Sequence, residues 1–193
     1  MKIILASKSG VRKKILDKYN VENEVIVSNV DEDQIKKSLL AEEANPLNIS
    51  KNLAEIKSIQ VSNKNPDRLV LGADSVISLN NELINKPNSR EEAFEILKKL
   101  NNSKHYLISS VCISKNGLMI WNYTDKAELT MKSFSEEYLK NYLSKIPDET
   151  LYAYNVYQIE GEGRNLFSDI VGDKDTIMGL PVIKIKEYLN NYQ

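Results

Sequence analysis

A chain of 193 residues is long enough for one domain, or for two small lobes around one core. Its 41% apolar and 27% charged residues match a folded globular chain and exclude a disordered tail or a fibrous repeat. With 26 Lys plus Arg against 27 Asp plus Glu the formal charge is -1, which excludes a binder tracking a nucleic-acid polymer by bulk charge, so any phosphate must be held locally.

The opening run Ile3 to Ala6 reads as a strand buried on both faces. Ser9 then caps a helix whose Val11, Ile15, Leu16 and Tyr19 share one face. Ile35, Leu39 and Leu40 lie at helical spacing in residues 32–43, and Asn45 with Pro46 opens a second helix to about Ser62. RLVLGADSVISL, the pair Asn80 and Asn81, and ELINKP together predict a β-hairpin. Ser89 caps the next helix, with Ala93, Phe94, Leu97 and Leu100 inward. Strands Tyr106 to Ser114 and Leu118 to Met131 flank a turn at Lys115-Asn116-Gly117. Ser135 opens a helix carrying Tyr138, Leu139, Tyr142 and Leu143, and Leu180 and Pro181 begin the last one. The fold class is therefore α/β, a mixed sheet with helices packed against it, and no domain boundary or repeat interrupts residues 1–193.

No apolar run approaches the ~20 residues of a membrane span, and MKIILASKSG turns polar too soon for a secretory leader. The expected compartment is the cytoplasm, and no membrane partner is expected. Cys112, the single cysteine, sits in the apolar run VCI and reads as core, in keeping with a reducing compartment. His105, the only histidine, stands at a strand start with no evident partner and takes no catalytic role. Zinc chemistry based on cysteine or histidine is disfavoured accordingly.

Two segments are built for anions. SKSGVRKK places two hydroxyls and a cluster of cations at a helix start, where free N–H groups and the helix dipole favour negative charge and Arg12 can grip phosphate oxygens with two prongs. The plainer reading is a capped helix whose Lys8, Arg12, Lys13 and Lys14 face water. GAD and NKP place Asp74 and Lys86 on opposite arms of the hairpin. A two-residue loop sets Lys86 opposite Ser75; a three-residue loop sets it opposite Asp74, about 4.5–5.5 Å away between Cβ atoms. The second register is the expected one, and it would let the lysine neutralise a phosphate while the carboxylate holds a metal or water; the plainer reading is an ordinary cross-strand ion pair. Glu32 of VDED and Lys57 of LAEIK would matter only by converging on the same place.

LASKSGVRKKIL, VDE, LAEIK, GADSVI, NKP and YQIEGEGRNLF…IVGDKDTIMGLPV, in this order and nearly end to end, resemble the Maf (septum-formation) family of nucleoside triphosphate pyrophosphatases. The resemblance implies an elongated mixed sheet with a central cleft, a divalent cation (Mg or Mn), a nucleoside triphosphate substrate and a homodimer as a further candidate partnership. It implies phosphate binding by Ser7, Ser9, Arg12, Lys57 and Lys86, metal binding by Glu32 and Asp74, and Asp74 as general base. Where the family reads SPRR, this chain has Ser9-Gly10-Val11-Arg12, without the proline and the first arginine. Base recognition would fall to Gln158 and Glu160: pyrimidine-preferring members read AYGIQG there, whereas the glutamate in YQIEG resembles the branch acting on 7-methyl-GTP. Ala73-Asp74-Ser75 matches neither branch fully. A nucleotide-binding regulator of cell division with little turnover is the alternative function.

Overall fold

Ile3, Ile4 and Leu5 are fully buried and form β1 (Ile3–Leu5), an interior strand of a seven-stranded mixed sheet. In the computed structural model, which describes residues 1–192, the following elements are α1 (Gly10–Lys18), β2 (Asn23–Val25), α2 (Glu32–Ala41), α3 (Pro46–Ser62), β3 (Val70–Leu79) and β4 (Glu82–Ile84). The second half contributes α4 (Arg90–Leu100), β5 (Lys104–Lys115), β6 (Leu118–Met131), α5 (Glu136–Ser144), α6 (Asp148–Tyr154), a 3-10 turn (Glu162–Leu166), β7 (Phe167–Val171), α7 (Lys174–Ile177) and α8 (Val182–Asn191). The strand order is β2-β1-β3-β5-β6-β7, with β4 pairing β3. β1 runs parallel to β2 and β3, and the remaining pairs are antiparallel.

Local chemistry sets the helix starts as expected. Ser9, Asn45, Ser89 and Ser135 each accept a backbone N–H three residues on, and Pro46 occupies a first-turn position where its missing N–H costs nothing. α6, the 3-10 turn, β7 and α7 were not expected. α6 and the 3-10 turn have no side-chain cap hydrogen bond, α7 has four residues, and β7 buries mainly Phe167, so none carries a periodic signal.

The hairpin register corrects an expectation. Asn80 and Asn81 both adopt positive φ (51° and 66°), a two-residue turn whose twist matches the strands, and Leu79 pairs with Glu82. β4 ends at Ile84, and Asp74 faces Ser110 of β5 rather than Lys86. Asparagine tolerates the left-handed region well enough for the shorter turn to win.

Apolar side chains gather in two large clusters along the same strands, with a small third of Ile4, Ala6, Val61 and Val70. One holds Ile3, Leu5, Leu16, Leu71, Val111, Ile113 and Ile185; the other holds Ile77, Leu97, Leu107, Leu129, Leu151 and Phe167. Between them a polar belt crosses β3 and β5 at the pairs Asp74–Ser110 and Ser75–Ser109. β3 lends one edge to β1 as far as Leu71 and to β4 from Ile77, and among the described residues no strand pairs with residues 72–76 there. That gap is where the candidate site lies.

His105 does have a partner. It is fully buried, its Nε2 lies 2.9 Å from the Tyr157 hydroxyl, and both rings pack on Phe167. Cys112 is buried in the sheet as expected.

Candidate active site

Asp74 and Lys57 reach each other because α3 lies unusually close to β3. A Cβ on Gly72 would sit 2.1 Å from the Ala54 carbonyl oxygen and 2.8 Å from the Ser58 nitrogen, so only glycine permits the approach. Lys57 thereby enters the polar belt, 5% exposed, and donates to Asp74 Oδ1 at 2.9 Å; Asp74 is 6% exposed. Ser50, also on α3, donates to the Asp74 backbone carbonyl at 3.1 Å. Asp74 Oδ2 is buried and has no hydrogen-bond partner. A carboxylate oxygen left bare in such a place costs free energy and marks a position kept for something else.

Glu32, at the start of α2, places Oε2 3.0 Å from the same Lys57 ammonium. Burial works against its charged form, yet Lys57, Lys36 and Lys86 outweigh it and hold the carboxyl below the ordinary glutamate range. One lysine thus bridges two carboxylates that would otherwise repel. Lys86, exposed beyond β4, has its ammonium made more acidic by desolvation and by Arg12 and Lys36, against the pull of Glu32 and Asp74. Both carboxylates act on its charge, but among the described residues it makes no ion pair with either, and the strand register does not pair it with Asp74.

Arg12 is a brace. Its Nε donates to Gly179 O (2.9 Å), Nη1 to Ser7 Oγ (3.2 Å) and Ala73 O (3.0 Å), and Nη2 to Ser75 Oγ (3.1 Å). It closes the gap in β3 by satisfying a carbonyl that no strand reaches, and ties the turn at Gly179 to it. Four bonds from five N–H groups leave one donor, so a two-pronged grip on a phosphate would require it to release partners it holds here. Burial disfavours its charge, and Asp74 and Glu32 favour it. Ser7 Oγ accepts from the Ser9 nitrogen at 3.2 Å, and Ser9 Oγ caps α1 at Arg12.

Gln158 and Glu160 lie apart from this cluster, exposed on the segment before the 3-10 turn; Glu160 pairs with Lys174 at 3.4 Å. Sequence reading missed the supports. Ser75 shares a 2.8 Å hydrogen bond with Ser109, which donates to Thr176 O at 2.8 Å, and Gly179 holds φ 103° close to Arg12. The available signal was serine placed inside the apolar runs GADSVISL and YLISSVCI. Lys36, four residues after Glu32, was also passed over.

Two carboxylates with a bare oxygen make a weak site alone, and no group of three or more His, Cys, Asp or Glu among the described residues could hold a metal. They fit an ion completed by phosphate and water, as magnesium prefers.

Among the described residues no helix is long and apolar enough to cross a membrane. The pattern that defines the Maf family, described as Maf-like protein, matches residues 2–192. A nucleoside triphosphate pyrophosphatase of Pelagibacter ubique (strain HTCC1062) is 67% identical over 187 residues, covering 97% of this chain and 96% of that protein. Another protein of that name, from Caulobacter vibrioides (strain ATCC 19089 / CIP 103742 / CB 15), is 38% identical, covering 97% and 94%. A 7-methyl-GTP pyrophosphatase of Brucella abortus biovar 1 (strain 9-941) is 34% identical over 185 residues, covering 96% and 93%. A pattern matched over nearly the full length, joined to relatives this similar, means that the chain belongs to the Maf family.

Proposed function

We propose that this chain hydrolyses a nucleoside triphosphate between its α- and β-phosphates, releasing the nucleoside monophosphate and pyrophosphate. The observation that carries the reading is the buried Lys57 ammonium held between Asp74 and Glu32, with Asp74 Oδ2 left bare. Relatives named nucleoside triphosphate pyrophosphatase support it.

Phosphoryl-type chemistry asks for positioning and charge more than for covalent work. Lys57 fixes Asp74 from its Oδ1 side, so Oδ2 is free to take the proton of the water that attacks the α-phosphorus. Lys86 neutralises the tail as charge builds on the leaving pyrophosphate. Ser7 and Ser9 offer hydroxyls at the start of α1, and Arg12 adds a positive charge from its braced position with one N–H to spare. Glu32 and Asp74 would hold magnesium or manganese. When bound, that ion supplies further neutralisation of the phosphate oxygens.

Gln158 and Glu160 take the base end in this reading. A glutamate accepts hydrogen bonds from both the N1–H and the exocyclic amine of guanine, whereas thymine offers one N–H, so a guanine-type base is favoured. The relative named 7-methyl-GTP pyrophosphatase agrees with that choice.

The test is a pyrophosphate-release assay over GTP, 7-methyl-GTP, dTTP and UTP with magnesium and with manganese. Release that requires the metal and is fastest on the guanine-type substrates is expected. Preference for dTTP and UTP would overturn the base assignment. Tight nucleotide binding without release would overturn the reaction and leave the regulator reading in its place.

A further inference from the structure

The half-buried residues of α2 are Glu32, Ile35, Lys36 and Leu39, the spacing of one helix face turned toward the protein. A lysine on such a face normally pairs with a carboxylate or extends to water. The Lys36 side chain is half-buried and, among the described residues, makes no ion pair or hydrogen bond, although its neighbour one turn back is Glu32. That carboxylate is committed to Lys57 at 3.0 Å. Lys37, beside it in sequence, points to solvent. Lys36 lies one turn from Glu32 on the same half-buried face of α2, and its charge acts on Glu32 and on Lys86.

The charge balance gives this lysine a purpose. Arg12, Lys36, Lys57 and Lys86 set four cations against the two carboxylates Glu32 and Asp74, an excess that favours an anionic ligand. Four residues of helix advance about 6 Å, roughly two phosphate spacings from the Glu32 end of α2.

We propose that Lys36 is a phosphate-binding residue of this site, contacting the distal phosphates of the triphosphate and hence the pyrophosphate product. It deepens the pyrophosphatase reading and rests on it for the identity of the ligand.

The test is calorimetric binding of inorganic pyrophosphate, with magnesium, to the full-length chain, which needs no turnover. Lys36→Ala is expected to weaken binding about tenfold or more, as loss of one charge-assisted bond would. Lys36→Arg should keep the affinity within about threefold, since the charge remains. Lys37→Ala, which removes the same charge from the outer face of the same helix, should bind as the wild type does. Unchanged affinity in Lys36→Ala, or an equal loss in Lys37→Ala, would overturn the assignment. If pyrophosphate binding depends on Lys36 while no triphosphate is hydrolysed, the reaction proposed above fails and the phosphate contact stands.

Discussion

Asp74 carries two unlike oxygens: one is held by Lys57, the other is buried without a partner. Asp74→Asn keeps the size of the group and an oxygen for Lys57, and removes the proposed base. Turnover should fall by about 10²–10⁴ in a chain that still folds, with a lowered melting temperature because Lys57 loses a buried charged partner; retained turnover would remove Asp74 from this role. Much of the residue list was legible, since Asp74, Lys86, Glu32, Lys57 and Arg12 all sit in motifs. How they meet was not. Lys57 and Asp74 are 17 positions apart on a helix and a strand, and no periodicity specifies a contact between separate elements. The bracing of Arg12 was hidden for the same reason, because its partners come from Ala73, Ser75 and Gly179.

At the scale of elements, two glycines are expected to behave oppositely. Gly72→Ala drives a Cβ into backbone of α3, so the helix must lift from β3 and carry Lys57 with it. A loss of at least about 1–3 kcal/mol in urea unfolding should accompany lost activity. Gly10 stands at the first position of α1, with open space around its would-be Cβ, and Ser9 before it already has the extended backbone (φ -69°, ψ 111°) that precedes proline comfortably. Gly10→Pro should raise stability by about 0.4–1 kcal/mol in the same measurement by restricting the unfolded chain. Elements with strong caps or long apolar runs were legible, as α1, α3, α4 and β5 show. The hairpin was legible as a hairpin but not in register, because one residue of loop length moves every β3–β4 partner; the pairing of Asp74 with Ser110 lies on the other edge of β3, set by β5.

Across the whole molecule, the two large apolar clusters flank a belt of polar side chains, and the second of them encloses the only histidine. Burial lowers the His105 proton affinity from the ordinary 6.5 to about 4. The unfolded chain therefore takes up a proton in a window where the folded one refuses it. Stability is fully present above about pH 6.5 and falls as pH drops toward 4, by up to about 3 kcal/mol. His105→Phe should flatten that slope in pH-dependent urea unfolding, even though it loses the bond to Tyr157; an unchanged slope would assign the acid sensitivity elsewhere. The belt between the clusters is the proposed seat of the triphosphate, and hydrolysis in ¹⁸O-labelled water tests the reaction proposed there most directly. Attack at the α-phosphorus predicts label in the nucleoside monophosphate and none in the pyrophosphate, whereas a nucleoside diphosphate with labelled orthophosphate, or label in the pyrophosphate, would contradict it.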